Sequence, residues 1–151
     1  MLKTGSVILS IWSGLNLVPS LGILTLVVFL DKNAPALSVL LTEDEISMLS
    51  ADVLATANSI AAFANGLNVA FCILFLIAVW KGLMLKIEWV FWALLVSSAF
   101  ALVAGIAGDY VVGTQFPEVN IISGMILAVG FACAAKELFG NEDVESNGQI
   151  L

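Results

Sequence analysis

The stretch from residue 58 to residue 80, NSIAAFANGLNVAFCILFLIAVW, runs for 23 residues without a charged side chain. A helix needs about 20 predominantly apolar residues to cross a bilayer. Three further stretches meet this requirement, over residues 6–30, 87–108 and 119–139. The sequence therefore predicts an all-α integral membrane protein, a four-helix bundle in a single transmembrane domain of residues 1–139.

The composition excludes several classes of function. Hydrophobic residues make up 61% and charged residues 11% of the chain, whereas soluble domains carry about 25% charged residues, so we expect membrane lipid to replace water around most of the surface. All five basic residues are lysines, and the net charge is −7. Nucleic-acid binding depends on basic clusters, so we expect no nucleic-acid partner. Histidine is absent, and general acid–base catalysis has few other candidates here. We therefore expect no enzymatic activity, no catalytic residue and no cofactor.

The first stretch also has features of a signal peptide. Lys3 precedes it, and residues 34–36 (Ala-Pro-Ala) resemble a cleavage site. However, its apolar run is longer than the roughly 7–15 residues of a signal-peptide core, and Asp31 and Lys32 separate the run from that site. We therefore predict a retained transmembrane helix.

The lysines predict the orientation. Lys3, Lys81, Lys86 and Lys136 would lie at one membrane face and Lys32 alone at the other. Because basic residues accumulate on the cytoplasmic side, we predict a multi-pass protein of the plasma (inner) membrane with both termini in the cytoplasm.

The connection after the first span contains a helix start signal. Residues 42–45 (Thr-Glu-Asp-Glu) form a capping box, and Ile46, Leu49 and Val53 follow at helical spacing. We predict a short amphipathic helix that lies on the outer membrane face or leads directly into the second span. We interpret it as a solvated cap; the alternative is a docking lid for a partner. Residues 140–151 are polar and acidic, which predicts a disordered tail.

Cys72 and Cys133 lie inside apolar stretches without CxxC spacing. We interpret them as packing residues with free thiols and predict no metal site. Among ionisable groups, Asp109 lies 21 residues after Glu88, about 32 Å along a helix and hence at the opposite interface. Asp109 and Glu118 form a candidate outer-face polar site; the alternative is a solvated aspartate at a helix end.

The spans also carry amide and hydroxyl side chains near mid-depth, which form a candidate polar layer: Asn16, Asn65, Asn68, Ser97 and Ser98. Asn16 and Asn68 lie about 15 Å and about 18 Å above the inner ends of their helices. Each follows a Gly-Leu pair, at Gly14 and Gly66. We therefore predict that these two asparagines face each other.

This layer has two interpretations. In the structural one, Gly14 and Gly66 let the helices approach, and the amides form interhelical hydrogen bonds. In the functional one, the layer lines a pocket for a neutral polar solute or a lipid headgroup. Pro19 favours the pocket, because it frees the carbonyl of Leu15 from its helical hydrogen bond.

The layout resembles the DoxX-like group of small bacterial membrane proteins. The similarity covers residues 7–138: four short spans, a long connection after the first, a lysine-bearing turn, and Gly108-Asp109 with Pro117-Glu118 before the last span. It implies a four-helix bundle and transfers no functional residue. The predicted function is a non-enzymatic accessory, scaffold or oligomeric subunit that contacts a protein partner or further copies of itself. The alternative is a carrier or binder of a small neutral solute.

Overall fold

The computed structural model describes residues 3–30, 32–112 and 117–140. These residues form helices and turns and contain no strand. The helices are α1 (Lys3–Leu24), α2 (Pro35–Leu40), α3 (Glu43–Ser47), α4 (Ala51–Lys81), α5 (Glu88–Val112) and α6 (Pro117–Phe139). A π-helical segment, Thr25–Phe29, continues α1. Most of the predicted acidic tail, residues 141–151, lies outside the described residues.

Four helical segments are long and apolar enough to cross a membrane: Lys3–Phe29, Ala51–Leu85, Glu88–Tyr110 and Glu118–Phe139. The prediction of an all-α chain with four such segments is therefore confirmed. Helix α4 starts at Ala51, seven residues before the predicted stretch begins at residue 58. The prediction followed length and apolarity, which do not mark a helix start that lies in polar sequence. Asp52 in its first turn suits the positive end of the helix dipole.

The connection between α1 and α4 contains two short helices where one was predicted. The capping box is confirmed: the Thr42 hydroxyl accepts from the Glu45 N–H, and the Glu45 carboxylate accepts from the Thr42 N–H at 2.8 Å. Helix α3 nevertheless ends at Ser47. The predicted helical spacing of Ile46, Leu49 and Val53 is divided between two helices. Val53 belongs to α4, because the Ser50 hydroxyl accepts from the Val53 N–H at 3.4 Å and starts a new helix.

Helix α2 was not predicted, although its sequence contains the usual signals. Ala34 is its N-cap residue and Pro35 occupies its first turn, where proline lacks only an N–H that has no helical partner. The Ala34 N–H donates instead to Asn58 Oδ1 of α4 at 2.9 Å. This hydrogen bond anchors the connection to α4 and explains why Ala34 is buried.

The chain divides into two compact units, Gly14–Leu74 and the combination of Met1–Ser13 with Phe75–Leu151. In the second of these, the beginning of α1 packs closely on α6. A Cβ added at Gly5 would lie 2.6 Å from the Ala134 nitrogen, and one at Gly130 would lie 2.8 Å from the Leu9 side chain. Glycine is therefore required at residue 5, where the backbone of α6 leaves no room for a side chain, whereas at residue 130 the Leu9 side chain would have to move.

The same unit has an aromatic cluster between α5 and α6. Buried Phe91 makes edge contacts with Phe131 and Phe139, each with ring centroids 5.5 Å apart. Trp92 packs beside Phe91 at 5.3 Å. Such edge-to-face pairs add about 0.5–1.5 kcal/mol each beyond apolar burial, so this cluster fixes α5 against α6.

Candidate functional site

Helix α1 buries three serines, whereas several of its large apolar side chains are exposed. Ser6, Ser13 and Ser20 recur every seven residues and are 0%, 0% and 5% exposed. Leu15 and Val18, between them, are 58% and 69% exposed. Because seven residues make about two helical turns, the serines share one face. Asn16 lies half-buried beside them. We call this the polar face of α1.

Helix α4 carries a matching series. Asn58, Asn65 and Cys72 recur every seven residues, with Asn68 between the last two. The three asparagines are half-buried, and Cys72 is fully buried. The polar groups of α4 therefore also lie away from the exposed surface.

The two helices are joined within the unit Gly14–Leu74 by a side-chain hydrogen bond. Asn68 Nδ2 donates to Ser20 Oγ at 2.8 Å, and Asn68 Oδ1 lies 3.9 Å from Cys72 Sγ. Sequence reasoning placed Asn68 at this depth but missed Ser20. The available signal was the spacing from Asn16, because residues four apart lie on the same helix face.

Asn16 and Asn65 take different positions from Asn68. The Asn65 amide donates to the Ala61 carbonyl of its own helix at 2.8 Å. Asn16 lies one turn before Ser20 on the same face of α1. The prediction that Asn16 and Asn68 face each other stays a prediction.

The two serines of the predicted layer belong to the other unit and differ in burial. Ser98 is fully buried, and its hydroxyl donates to the Leu94 carbonyl at 2.6 Å. Ser97 is exposed and donates to the same carbonyl at 3.2 Å. Adjacent residues are about 100° apart around a helix, so only Ser98 reaches the packed face of α5.

The expected role of Gly14 and Gly66 is wrong. A Cβ added at either position would meet nothing within 4 Å, so neither glycine is needed for a close helix approach. The physical reason is angular, because Gly14 and Asn16 are two residues apart and project about 200° apart on the helix. A glycine in a Gly-Leu-Asn element therefore lies nearly opposite its asparagine.

Pro19 does not strengthen the pocket interpretation. Helix α1 continues through Pro19, and both Pro19 and Leu15 are exposed. A backbone carbonyl lies on nearly the same face as the residue four positions ahead. The Leu15 carbonyl is therefore on the exposed side of α1, away from the polar face.

Near the end of α5 and the start of α6, Asp109 pairs with Asn120. The Asn120 amide donates to the Asp109 carboxylate. The amide oxygen of Asn120 also lies 3.3 Å from the position that a Cβ on Gly105 would take. Glu118 is exposed. Asn120 is not among the predicted site residues, because the candidates near Asp109 were ionisable groups only.

A second contact that sequence reasoning missed involves Trp12. The Trp12 indole N–H donates to Ser123 Oγ of α6 at 2.8 Å, and its ring lies 5.1 Å from that of Phe75 in α4. Trp12 is only 4% exposed. It therefore contacts two other helices of its unit at once.

Two buried polar atoms lack hydrogen-bond partners in the part of the chain that the structure describes: Ser6 Oγ and one carboxylate oxygen of Glu137. Ser6 follows Gly5, which packs on Ala134, and Glu137 lies one turn beyond Ala134. Such groups lower stability, because their hydration is lost without replacement. Elsewhere, most of the polar residues of the candidate layer donate to protein acceptors.

Within the described ranges 3–30, 32–112 and 117–140, no group of three His, Cys, Asp or Glu residues could hold a metal ion. Cys72 and Cys133 are free thiols.

No protein-family model, curated protein or solved structure matches the chain. The resemblance to the DoxX-like group stays a prediction. Any proposed function has to come from the residues themselves.

Proposed function

We propose that this chain is an integral membrane protein whose four long helices span the bilayer, and that it acts as a non-enzymatic subunit of a larger membrane assembly. The observation that carries the proposal is the Asn68–Ser20 hydrogen bond. In this bond the amide of Asn68, a member of the candidate layer, joins α4 to α1. A polar side chain that already bonds a neighbouring helix is less available to a transported solute.

Membrane insertion is supported by the nature of the exposed surface. Large apolar side chains on the long helices are mostly exposed, for example Phe63 (70%), Phe100 (76%) and Met125 (64%). At about 25 cal/mol per Å² of apolar surface, leaving such side chains in water is unfavourable by about 1.5–3 kcal/mol each. Lipid tails remove that penalty, because they are as apolar as the exposed side chains.

The proposed orientation places both termini in the cytoplasm. Lys3, Lys81, Lys86 and Lys136 are exposed and belong to one unit, at the start of α1, the end of α4, the following turn and the end of α6. Trp80 and Trp89 flank that turn and are 48% and 70% exposed. Exposed tryptophans beside lysines are typical of a membrane interface, and the excess of lysines favours the cytoplasmic one.

Cysteine labelling tests insertion and orientation. The background variant carries Cys72→Ala and Cys133→Ala, and the reporters are Leu85→Cys in the lysine-bearing turn and Met48→Cys after α3, both at exposed positions. In intact cells, a membrane-impermeant maleimide should label the reporter at residue 48 and not the one at residue 85. Labelling of residue 85 alone would reverse the orientation, and labelling of both would refute the spans.

The subunit assignment is tested by mass. The protein is extracted from its own membranes in mild detergent, and the protein mass of the particle is measured by light scattering. A particle of defined stoichiometry above the 15.9 kDa of one chain would support a subunit. A single chain whose melting temperature rises with a neutral solute, and no longer rises in Asn68→Leu, would favour a carrier and refute the proposal.

A further inference from the structure

A groove of about 350 Å³ lies on the first turns of α4. It is lined by Asp52, Val53, Thr56, Ala57 and Ile60. All five lining residues belong to α4, so the groove is shallow and open, and its large apolar side chains, Val53 and Ile60, are 50% and 64% exposed. The Thr56 hydroxyl donates to the Asp52 carbonyl at 2.7 Å. That bond leaves the Asp52 carboxylate as the polar group of the lining that is available for recognition.

The chain around the groove is acidic. Residues 31–57 contain five acidic residues and one lysine, Lys32. Glu43, Asp44 and Glu45 of the preceding helix α3 are exposed, as is Asp52 at the groove. Their negative potential favours a positively charged occupant and opposes an anionic one.

The length of α4 places most of the groove beyond the hydrocarbon layer. Its 31 residues span about 46 Å, or about 44 Å along the membrane normal at an average tilt of about 20°. The hydrocarbon core is about 30 Å thick. With Trp80 and Lys81 at one interface, about 14 Å of helix projects beyond the other. Val53 therefore lies where lipid tails do not cover it, and Ile60 lies at the boundary of the hydrocarbon layer.

We infer that this groove binds a segment of a different membrane-associated protein that presents lysine or arginine beside apolar side chains. The inference rests on the proposed subunit function and names the surface that the partner uses. The basic group pairs with Asp52, and the apolar side chains cover Val53 and Ile60. Anionic lipid headgroups would meet repulsion here. A second copy of this chain offers little positive charge, because its connection carries the same acidic excess.

Photo-crosslinking with charge reversal tests the inference. A benzophenone amino acid replaces Ile60, and the full chain is irradiated in its own membranes. The expected adduct joins this chain to another protein within a segment that contains lysine or arginine. Asp52→Lys should lower its yield about tenfold, because a rim charge sets the rate of encounter. Asp44→Lys, with the same charge change outside the groove, should lower it much less.

Each result decides the inference. Adducts only with lipid, or only with a second copy, would overturn it, and so would equal losses from both charge reversals. Asp52→Asn removes the charge without adding a repulsive one and should also lower the yield; a melting curve for each variant establishes that it is folded. If the chain co-purifies with a partner and the probe at Ile60 does not react with that partner, only the groove is refuted. If no assembly forms at all, the proposed function fails as well.

Discussion

The hydrogen bond between Asn68 and Ser20 gives the sharpest test of how the helices are held together. Their N···O distance is 2.8 Å, and Ser20 is 5% exposed. Ser20→Ala leaves the N–H of the half-buried Asn68 amide without this acceptor, which costs up to about 1–3 kcal/mol. Asn68→Leu should cost less, because the freed serine hydroxyl can donate to a carbonyl of its own helix, as Ser98 does. We therefore expect the serine substitution to be the more damaging.

The coupling between the two side chains is the decisive quantity. Hydrogen bonds between membrane helices contribute about 0.6 kcal/mol on average and up to about 1.7 kcal/mol. The double mutant should therefore lose less than the sum of the single losses by an amount in that range. The free energy of unfolding is measured by titrating the protein in mild detergent with sodium dodecyl sulfate and following helicity by circular dichroism.

Two further cycles serve as controls. Asn65→Leu combined with Ser20→Ala should be additive within about 0.3–0.5 kcal/mol, because the Asn65 amide bonds its own helix. Asn16→Leu combined with Asn68→Leu tests whether those two asparagines face each other. Coupling for Asn16 with Asn68, together with additivity for Ser20 with Asn68, would refute the proposed bond.

Three more predictions follow from the described contacts. Ser6→Ala should raise the free energy of unfolding by about 1 kcal/mol, because the serine hydroxyl is buried without a partner. Ser98→Ala removes an equally buried hydroxyl that is hydrogen-bonded, so it should not raise that free energy. A lower free energy of unfolding in Ser6→Ala would contradict the prediction. Trp12→Phe and Ser123→Ala should each lower that free energy by about 1 kcal/mol and show coupling; independent effects would exclude the indole hydrogen bond. The backbone N–H and hydroxyl of Thr42 hold the pKa of Glu45 below its ordinary value, so the cap of α3 should persist above the ordinary carboxyl pKa and be lost as the pH falls through the lowered one; NMR titration of Glu45 at its ordinary value would refute the cap.

The sequence predicted what depends on local pattern. The four long helices follow from uncharged stretches of sufficient length, since an apolar helix of about 20 residues has few alternatives to a membrane. The capping box at Thr42 follows from side chains that reach only their own helix turn. Helix α2 was missed because it is six residues long, too short for a periodic pattern.

Contacts between helices were harder to predict, because depth along a helix gives no rotation about its axis. Matching depths brought Asn68 near Asn16, yet its amide hydrogen bonds to Ser20, one turn away. Asn120 was not predicted for the same reason. Its contacts with Gly105 and Asp109 of α5 depend on how the two helices are rotated about their axes. Neither pairing is encoded in the sequence spacing of a single helix.

Rotation can nevertheless be estimated from one pattern, the seven-residue spacing of polar side chains. Ser6, Ser13 and Ser20 form one such series on α1, and all three are buried. In a soluble helix this series would mark the exposed face, because water solvates hydroxyls. In a bilayer the argument is reversed, since lipid tails cannot satisfy a hydroxyl or an amide and the polar groups turn inward. The Gly-Leu-Asn repeat indicated the two helices that the hydrogen bond joins, and the serine series would have added Ser20 as a residue available to Asn68.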